Sequence, residues 1–184
     1  MKNLALHIMD IFQNAISSGA SFIELGIEED TVKNMLSLMI RDNGCGMTKE
    51  MTEIAEDPFF TTRTTRRVGL GLPLLKQNAE RTGGYFRIDS SQGIGTKVTA
   101  GFLLNSIDRP VLGDVAGAIM LTAGAHTDIH FSYHHCKDNK SFTFDTIEVG
   151  EALGEIPLNE PTVYRPICNL INQNLRDIGV DTKA

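Results

Sequence analysis

Positive charge is in short supply in this chain. Seventeen Lys and Arg face 23 Asp and Glu, a formal net charge of −6 over 184 residues, which argues against broad binding to nucleic acid or anionic membranes. An anionic ligand would need local help, from a metal ion or a short basic segment. Cysteine is also scarce. Cys45, Cys136 and Cys168 are odd in number and form no Cys-x-x-Cys pair, so they read as free thiols in a reducing compartment, with no metal knuckle. Long apolar runs are missing too: in MKNLALHIMDIFQNA the residues His7, Asp10, Gln13 and Asn14 interrupt too soon for a signal peptide or membrane span. A cytoplasmic protein is expected. What is present is ordinary for a folded domain, 41% hydrophobic and 22% charged residues, in a length that suits one domain or one domain plus a small appendage.

The most informative stretch is Ile40 to Met47, IRDNGCGM. An apolar strand (Met35, Leu36, Leu38, Met39, Ile40) runs into Arg41, a carboxylate at Asp42 and two glycines, Gly44 and Gly46. A buried carboxylate beside backbone that can turn into positive φ is one way to build a purine site. The same letters also fit a plain turn closing a strand.

Upstream, Leu4, Ile8, Ile11, Phe12, Ala15 and Ile16 recur at helical spacing, so residues 4–18 read as an amphipathic helix ending at Ser17-Ser18-Gly19. Asp10 and Asn14, four apart, share one face. An amide oxygen and a carboxylate so placed can serve a metal-bound phosphate, the amide as ligand and the carboxylate orienting water; they can equally point to solvent. Residues 21–29 alternate as a half-buried strand, and 35–41 form the next. Thr48 caps a short helix reaching Ala55.

Residues 57–68, DPFFTTRTTRRV, break pattern. A segment of this length without periodicity inside a compact domain is usually functional, often a lid, and its Arg63, Arg66 and Arg67 supply the local positive charge. A solvated basic turn is the alternative. After Gly69-Leu70-Gly71-Leu72 the pattern is helical to about Thr82, with Gly83-Gly84 as the stop, and the amides opening that helix suit phosphate. Residues 85–90 and 95–104 read as a hairpin.

Taken together, DIFQNAISSGAS, RDNGCGM, DPFFTTRTTRRVGLGLPLLKQNAERTGG and SSQGIGTKVTAGF resemble the gyrase, heat-shock chaperone, histidine kinase and mismatch-repair superfamily of ATP-binding domains over residues 3–104. The DPFFTT, GLGLPLLK and GIGT segments look most like the ATP-binding domain of sensor histidine kinases, and Asp10 with Gly19-Ala20 more like the hydrolytic branch. The resemblance implies an α+β two-layer sandwich of the Bergerat type over residues 1–104. It implies that ATP is held with Mg2+ on Asn14, that Asp42 accepts from the adenine amino group, and that Gly44, Gly46 and Met47 pass beside the base. Thr96 completes the adenine side. Gly69, Leu70, Gly71 and Leu72 frame the phosphates, with Thr61, Thr62 and Arg63 of the lid over them, and Asp10 is the catalytic candidate. Hydrolytic members carry glutamate where this chain has the shorter Asp10. Kinases carry asparagine there and a lysine where this chain has Ser17, so turnover is in question more than binding.

Residues 111–184 are expected to form a smaller α-β-β-α extension for a protein partner or a homodimer: a helix to about Gly124, strands 127–136 and 141–149, and a final helix 162–178. His126, His130, His134 and His135 crowd it, but His130 and His134 in a strand lie roughly 13 Å apart, too far to share a metal. His7, inside the first helix, reads as structural. With the ATP domain starting so early in the sequence, any kinase action is expected in trans. The expected function is a Mg-ATP-binding regulatory protein with slow hydrolysis coupled to lid closure, or alternatively a protein kinase acting on a partner.

Overall fold

The computed structural model describes residues 3–55 and 71–182. The chain runs α1 (Leu4–Ser17), β1 (Phe22–Asp30), β2 (Met35–Asp42), α2 (Lys49–Ala55), α3 (Gly71–Arg81), β3 (Tyr85–Ser91), β4 (Gly95–Leu103), α4 (Val115–Ala125), β5 (His130–Lys137), β6 (Lys140–Asp145), α5 (Thr146–Leu153) and α6 (Pro161–Asp177). One six-stranded sheet has the order β3-β4-β2-β1-β5-β6. Every neighbouring pair is antiparallel except β1 with β5, which is parallel. This is the two-layer α/β sandwich expected from sequence.

Strand alternation decides which face is covered. Ile23, Leu25 and Ile27 of β1, Leu36, Leu38 and Ile40 of β2, and Val98, Ala100 and Phe102 of β4 are buried, while the intervening Glu24, Glu28, Arg41 and Lys97 lie on the other face. A register slip of one residue would put charges in the core. Onto the apolar face α1 lays Leu4, Ile8, Ile11, Phe12 and Ala15, all buried. Its first turn is capped by Asn3, whose Oδ1 accepts the Leu6 amide at 3.0 Å.

The residues after 110 belong to the same sheet and the same core. Strand β5 lies along β1 from Phe22↔His130 to Glu29↔Lys137, and Phe131, Tyr133, Phe144, Ile171 and Leu175 join the hydrophobic cluster that contains α1 and β2. Helix α4, VAGAIMLTAGA, is apolar on all sides and packs against both α1 and α6. The sequence reading carries a strand through Val149; the strand stops at Asp145, because that side chain accepts the Ile147 amide at 2.9 Å and caps α5 instead. The tail histidines separate. His130 pairs with Asp145 at 2.7 Å, and His135 is in the core between Tyr133 and Glu29. Among the described residues no helix is long and apolar enough to cross a membrane, and no group of three His, Cys, Asp or Glu could hold a metal ion.

Candidate functional site

The site is assembled where four pieces meet: α1, the β2–α2 loop, the β3–β4 hairpin and the start of α3. Asp42 closes β2 on the covered face and is 8% exposed. The Gly44 amide donates to its Oδ1 at 2.9 Å. Burial pushes the carboxyl up, and the Gly44 and Thr96 backbone amides oppose that shift. A buried acceptor with one oxygen tied to the loop leaves the other for a ligand N–H.

The loop that follows is pinned on both sides. Asn43 does not face the site: its Oδ1 accepts the Ser21 and Phe22 amides, each at 2.9 Å, and fastens the loop to β1. The Cys45 amide donates to Ser18 O at 2.9 Å, and the Gly93 amide donates to Cys45 O at 2.7 Å. The two glycines are demanded by this close approach. A Cβ on Gly44 would fall 1.9 Å from Ser18 Oγ, and one on Gly46, whose φ is +64°, 2.0 Å from Ser91 O.

Ser90 is the residue that sequence reasoning misses. Its Oγ accepts the Met47 amide at 2.8 Å, donates to Gly95 O at 3.1 Å and lies 2.9 Å from Thr96 Oγ1. One hydroxyl thus holds Met47 and Thr96 in place beside Asp42, which is Thr96's register partner across β2 and β4. The available clue is the hairpin register that sets Ser90 opposite Thr96.

At the other end, Asp10 and Asn14 stand one turn apart on α1, both part-exposed. The Asp10 carboxylate rests against Gly71, the buried first residue of α3; a Cβ there would lie 2.2 Å from Asp10 Oδ2. The Asn14 side chain makes no hydrogen bond among the described residues, so its amide oxygen is available as a hard ligand. An amide oxygen beside a carboxylate, with no His or Cys, suits Mg2+ shared with phosphate and water rather than a protein cage. Leu72 turns into the core, 5% exposed, so only its backbone can serve a ligand. Thr61, Thr62, Arg63, Gly69 and Leu70 lie outside the described residues. An open cavity of about 300 Å³ at the same sheet end is lined by Phe22, Arg41, Asp42 and Lys97 among others. Ser90, Gly95 and Thr96 line it as well, so the cavity reaches the site residues, and Phe22, Arg41 and Lys97 extend it onto the uncovered face.

Comparison with known proteins gives the family and the fold. The sequence profile of the histidine kinase-, DNA gyrase B- and HSP90-like ATPases matches residues 2–106. A Shewanella frigidimarina protein named as a sensor is 36% identical over 83 residues, which are 45% of this chain and 13% of that protein. The sensor histidine kinase YvrG of Bacillus subtilis is 30% identical over 94 residues, 49% of this chain and 16% of the relative. The chain therefore spans a small part of the length of these relatives. Among solved structures, the N-terminal domain of a DNA repair protein superposes with a TM-score of 0.56 at 14% identity, covering 98% of this chain and 58% of the other. The Aquifex aeolicus MutL ATPase domain complexed with ADP gives 0.51 at 14%, covering 83% and 69%. At that identity the structural likeness speaks for the fold.

Proposed function

The chain belongs to the histidine kinase-, DNA gyrase B- and HSP90-like ATPases, and on that premise we propose that it is a Mg-ATP-binding regulatory protein that hydrolyses ATP slowly. The observation that carries this is the pairing of two separated carboxylates with matched surroundings. Asp42 is buried, accepts the Gly44 amide and is the register partner of Thr96, whose hydroxyl meets Ser90, and Asp10 lies against the opening of α3.

In this reading Asp42 accepts an N–H from the adenine amino group, and Gly44 and Gly46 let the base lie against bare backbone. Met47, held by Ser90, packs beside the ring. The base is thereby fixed by one directional acceptor and two tight backbone contacts, so orientation is set before chemistry. Asn14 would offer its amide oxygen to a Mg2+ ion, which would supply charge neutralisation at the phosphates. The Gly71 and Leu72 amides that open α3 would serve the same anion, Pro73 having none, and the arginines of residues 57–68 add charge from the sequence alone. Asp10 takes the proton of the water that attacks the γ-phosphorus as the bond to the β-phosphate oxygen breaks, leaving ADP and phosphate. Aspartate is a methylene shorter than glutamate, which fits slow turnover. Residues 111–184 would carry the nucleotide state to a protein partner or a second copy.

A second reading, transfer of the γ-phosphate to a partner's side chain, is favoured by one observation: the curated relatives include sensor histidine kinases. Incubation with γ-labelled ATP separates the two. Free labelled phosphate that disappears in Asp10→Asn, with ATP affinity kept within about threefold, supports hydrolysis. Label retained on a co-purified protein supports transfer, and neither product refutes both.

A further inference from the structure

His7 sits on α1 one turn ahead of Asp10 and is fully buried, 0% exposed. Its Nε2 lies 3.0 Å from Asn78 Nδ2 on α3. With the amide nitrogen donating, Nε2 accepts and the ring proton sits on Nδ1. Nδ1 is the one buried side-chain nitrogen or oxygen among the described residues without a hydrogen-bond partner. Buried polar atoms are almost always paired, because an unmade bond leaves the desolvation cost uncompensated. An orphan in the middle of the core therefore needs an explanation.

Its surroundings supply one. Burial lowers the basicity of the ring, while the neighbouring Gly71 backbone and the Asp10 carboxylate favour its proton. The Gly71 backbone is close enough to favour the ring proton, yet Nδ1 has no hydrogen-bond partner. Gly71 is thus approached twice from α1, at its Cα by the Asp10 carboxylate and at its backbone by the His7 ring. It is also the first described residue after the segment expected to face phosphate, and it opens α3. A small shift of this first turn would complete the missing bond.

We propose that His7 is a positioning residue for the phosphate end of the site, its Nδ1–H bonding the Gly71 carbonyl only when nucleotide seats the first turn of α3. This rests on the ATP-binding reading above. The orphan makes the nucleotide-free form less favourable than it could be, and nucleotide collects the difference as affinity. By reciprocity, whatever fixes the His7–Gly71 contact also tightens nucleotide. The same contact fixes α3 against α1 at the point where Asp10 presents its carboxylate. A histidine that merely fills space between the helices would do neither.

The two ring nitrogens can be tested separately in the full chain. A glutamine amide overlays Nε2 and keeps the Asn78 contact without Nδ1, whereas an asparagine amide overlays Nδ1. His7→Gln should lose about tenfold in affinity for a non-hydrolysable ATP analogue, an ordinary size for coupling between sites, and His7→Asn should stay within about threefold of the parent. In 15N-labelled parent protein the His7 Nδ1–H resonance, assigned by its loss in His7→Gln, should move downfield and become protected on saturation with the analogue. An unmoved resonance in protein that calorimetry shows to be saturated overturns the proposal and leaves ATP binding standing. So does a folded His7→Gln with parental affinity. Absence of any calorimetric binding to the parent overturns both.

Discussion

Asp10 Oδ2 occupies the space that a side chain at Gly71 would fill: a Cβ there would come within 2.2 Å of it and within 2.9 Å of Asp10 Cβ. The catalytic candidate and the opening of α3 are therefore one packing unit. Gly71→Ala gains up to about 1 kcal/mol of helix propensity and loses about 1–3 kcal/mol by overpacking. The net should be a destabilisation of up to about 3 kcal/mol. Phosphate release should fall to the level of Asp10→Asn, because the carboxylate is displaced. Denaturant melts and a phosphate-release assay on the same preparations check both halves.

Ser90 holds two site residues with one hydroxyl. Ser90→Ala leaves the Met47 amide and the Thr96 hydroxyl without their partner, at a cost of about 1–2 kcal/mol if the released groups are poorly rehydrated. Calorimetry should show ATP affinity about three- to tenfold weaker, while phosphate release at saturating ATP changes little. A large fall at saturating ATP would place Ser90 nearer the reacting phosphate than the geometry does.

Away from the site, Glu29 ties the tail strand to the rest of the sheet. Tyr133 OH lies 2.7 Å from His135 Nδ1, His135 Nε2 lies 3.1 Å from Glu29 Oε1, Lys137 Nζ lies 3.3 Å from Glu29 Oε2, and Lys137 also donates to Gly179 O at 2.6 Å. Burial would raise the Glu29 carboxyl, but the His135 hydrogen bond and the Lys137 charge outweigh it and hold it below its usual value. A depressed carboxyl adds stability that is complete above the unfolded value of about 4.3 and is lost as pH falls through the folded one. Glu29→Gln should be less stable than the parent at neutral pH, and the two should converge in acid. Thermal melts from pH 7 to pH 3 test this; a constant gap would remove Glu29 from the titration.

The sequence carries the element boundaries of the first 104 residues closely, because the apolar residues of α1 and the alternation of β1 and β2 are each strongly periodic. Asp42 is legible only in company: a carboxylate at the end of an apolar strand before two glycines also fits a plain turn, and the motifs around it single it out. Ser90 is not, since a serine in a hairpin acquires meaning only when register sets it opposite Thr96. Nor is the place of the tail. Pairing β5 with β1 joins residues about a hundred positions apart, and nothing local in HFSYHHCK names Phe22–Glu29 as its neighbour. The segment TFDTIEVG conceals the change from β6 to α5, because alternation continues past the capping Asp145. His7 reads as an ordinary core residue until Asn78 and Gly71 are set around it.

The central claim is that Asp42 is the acceptor for the base of a bound ATP, and calorimetric titration of the parent and Asp42→Asn with Mg-ATP tests it most directly. The substitution keeps the shape and replaces one acceptor oxygen with a donor. The account predicts saturable binding to the parent and a loss of about a hundredfold or more in the variant, the size expected when a buried acceptor becomes a mismatched donor. Equal affinities in two folded proteins would contradict it.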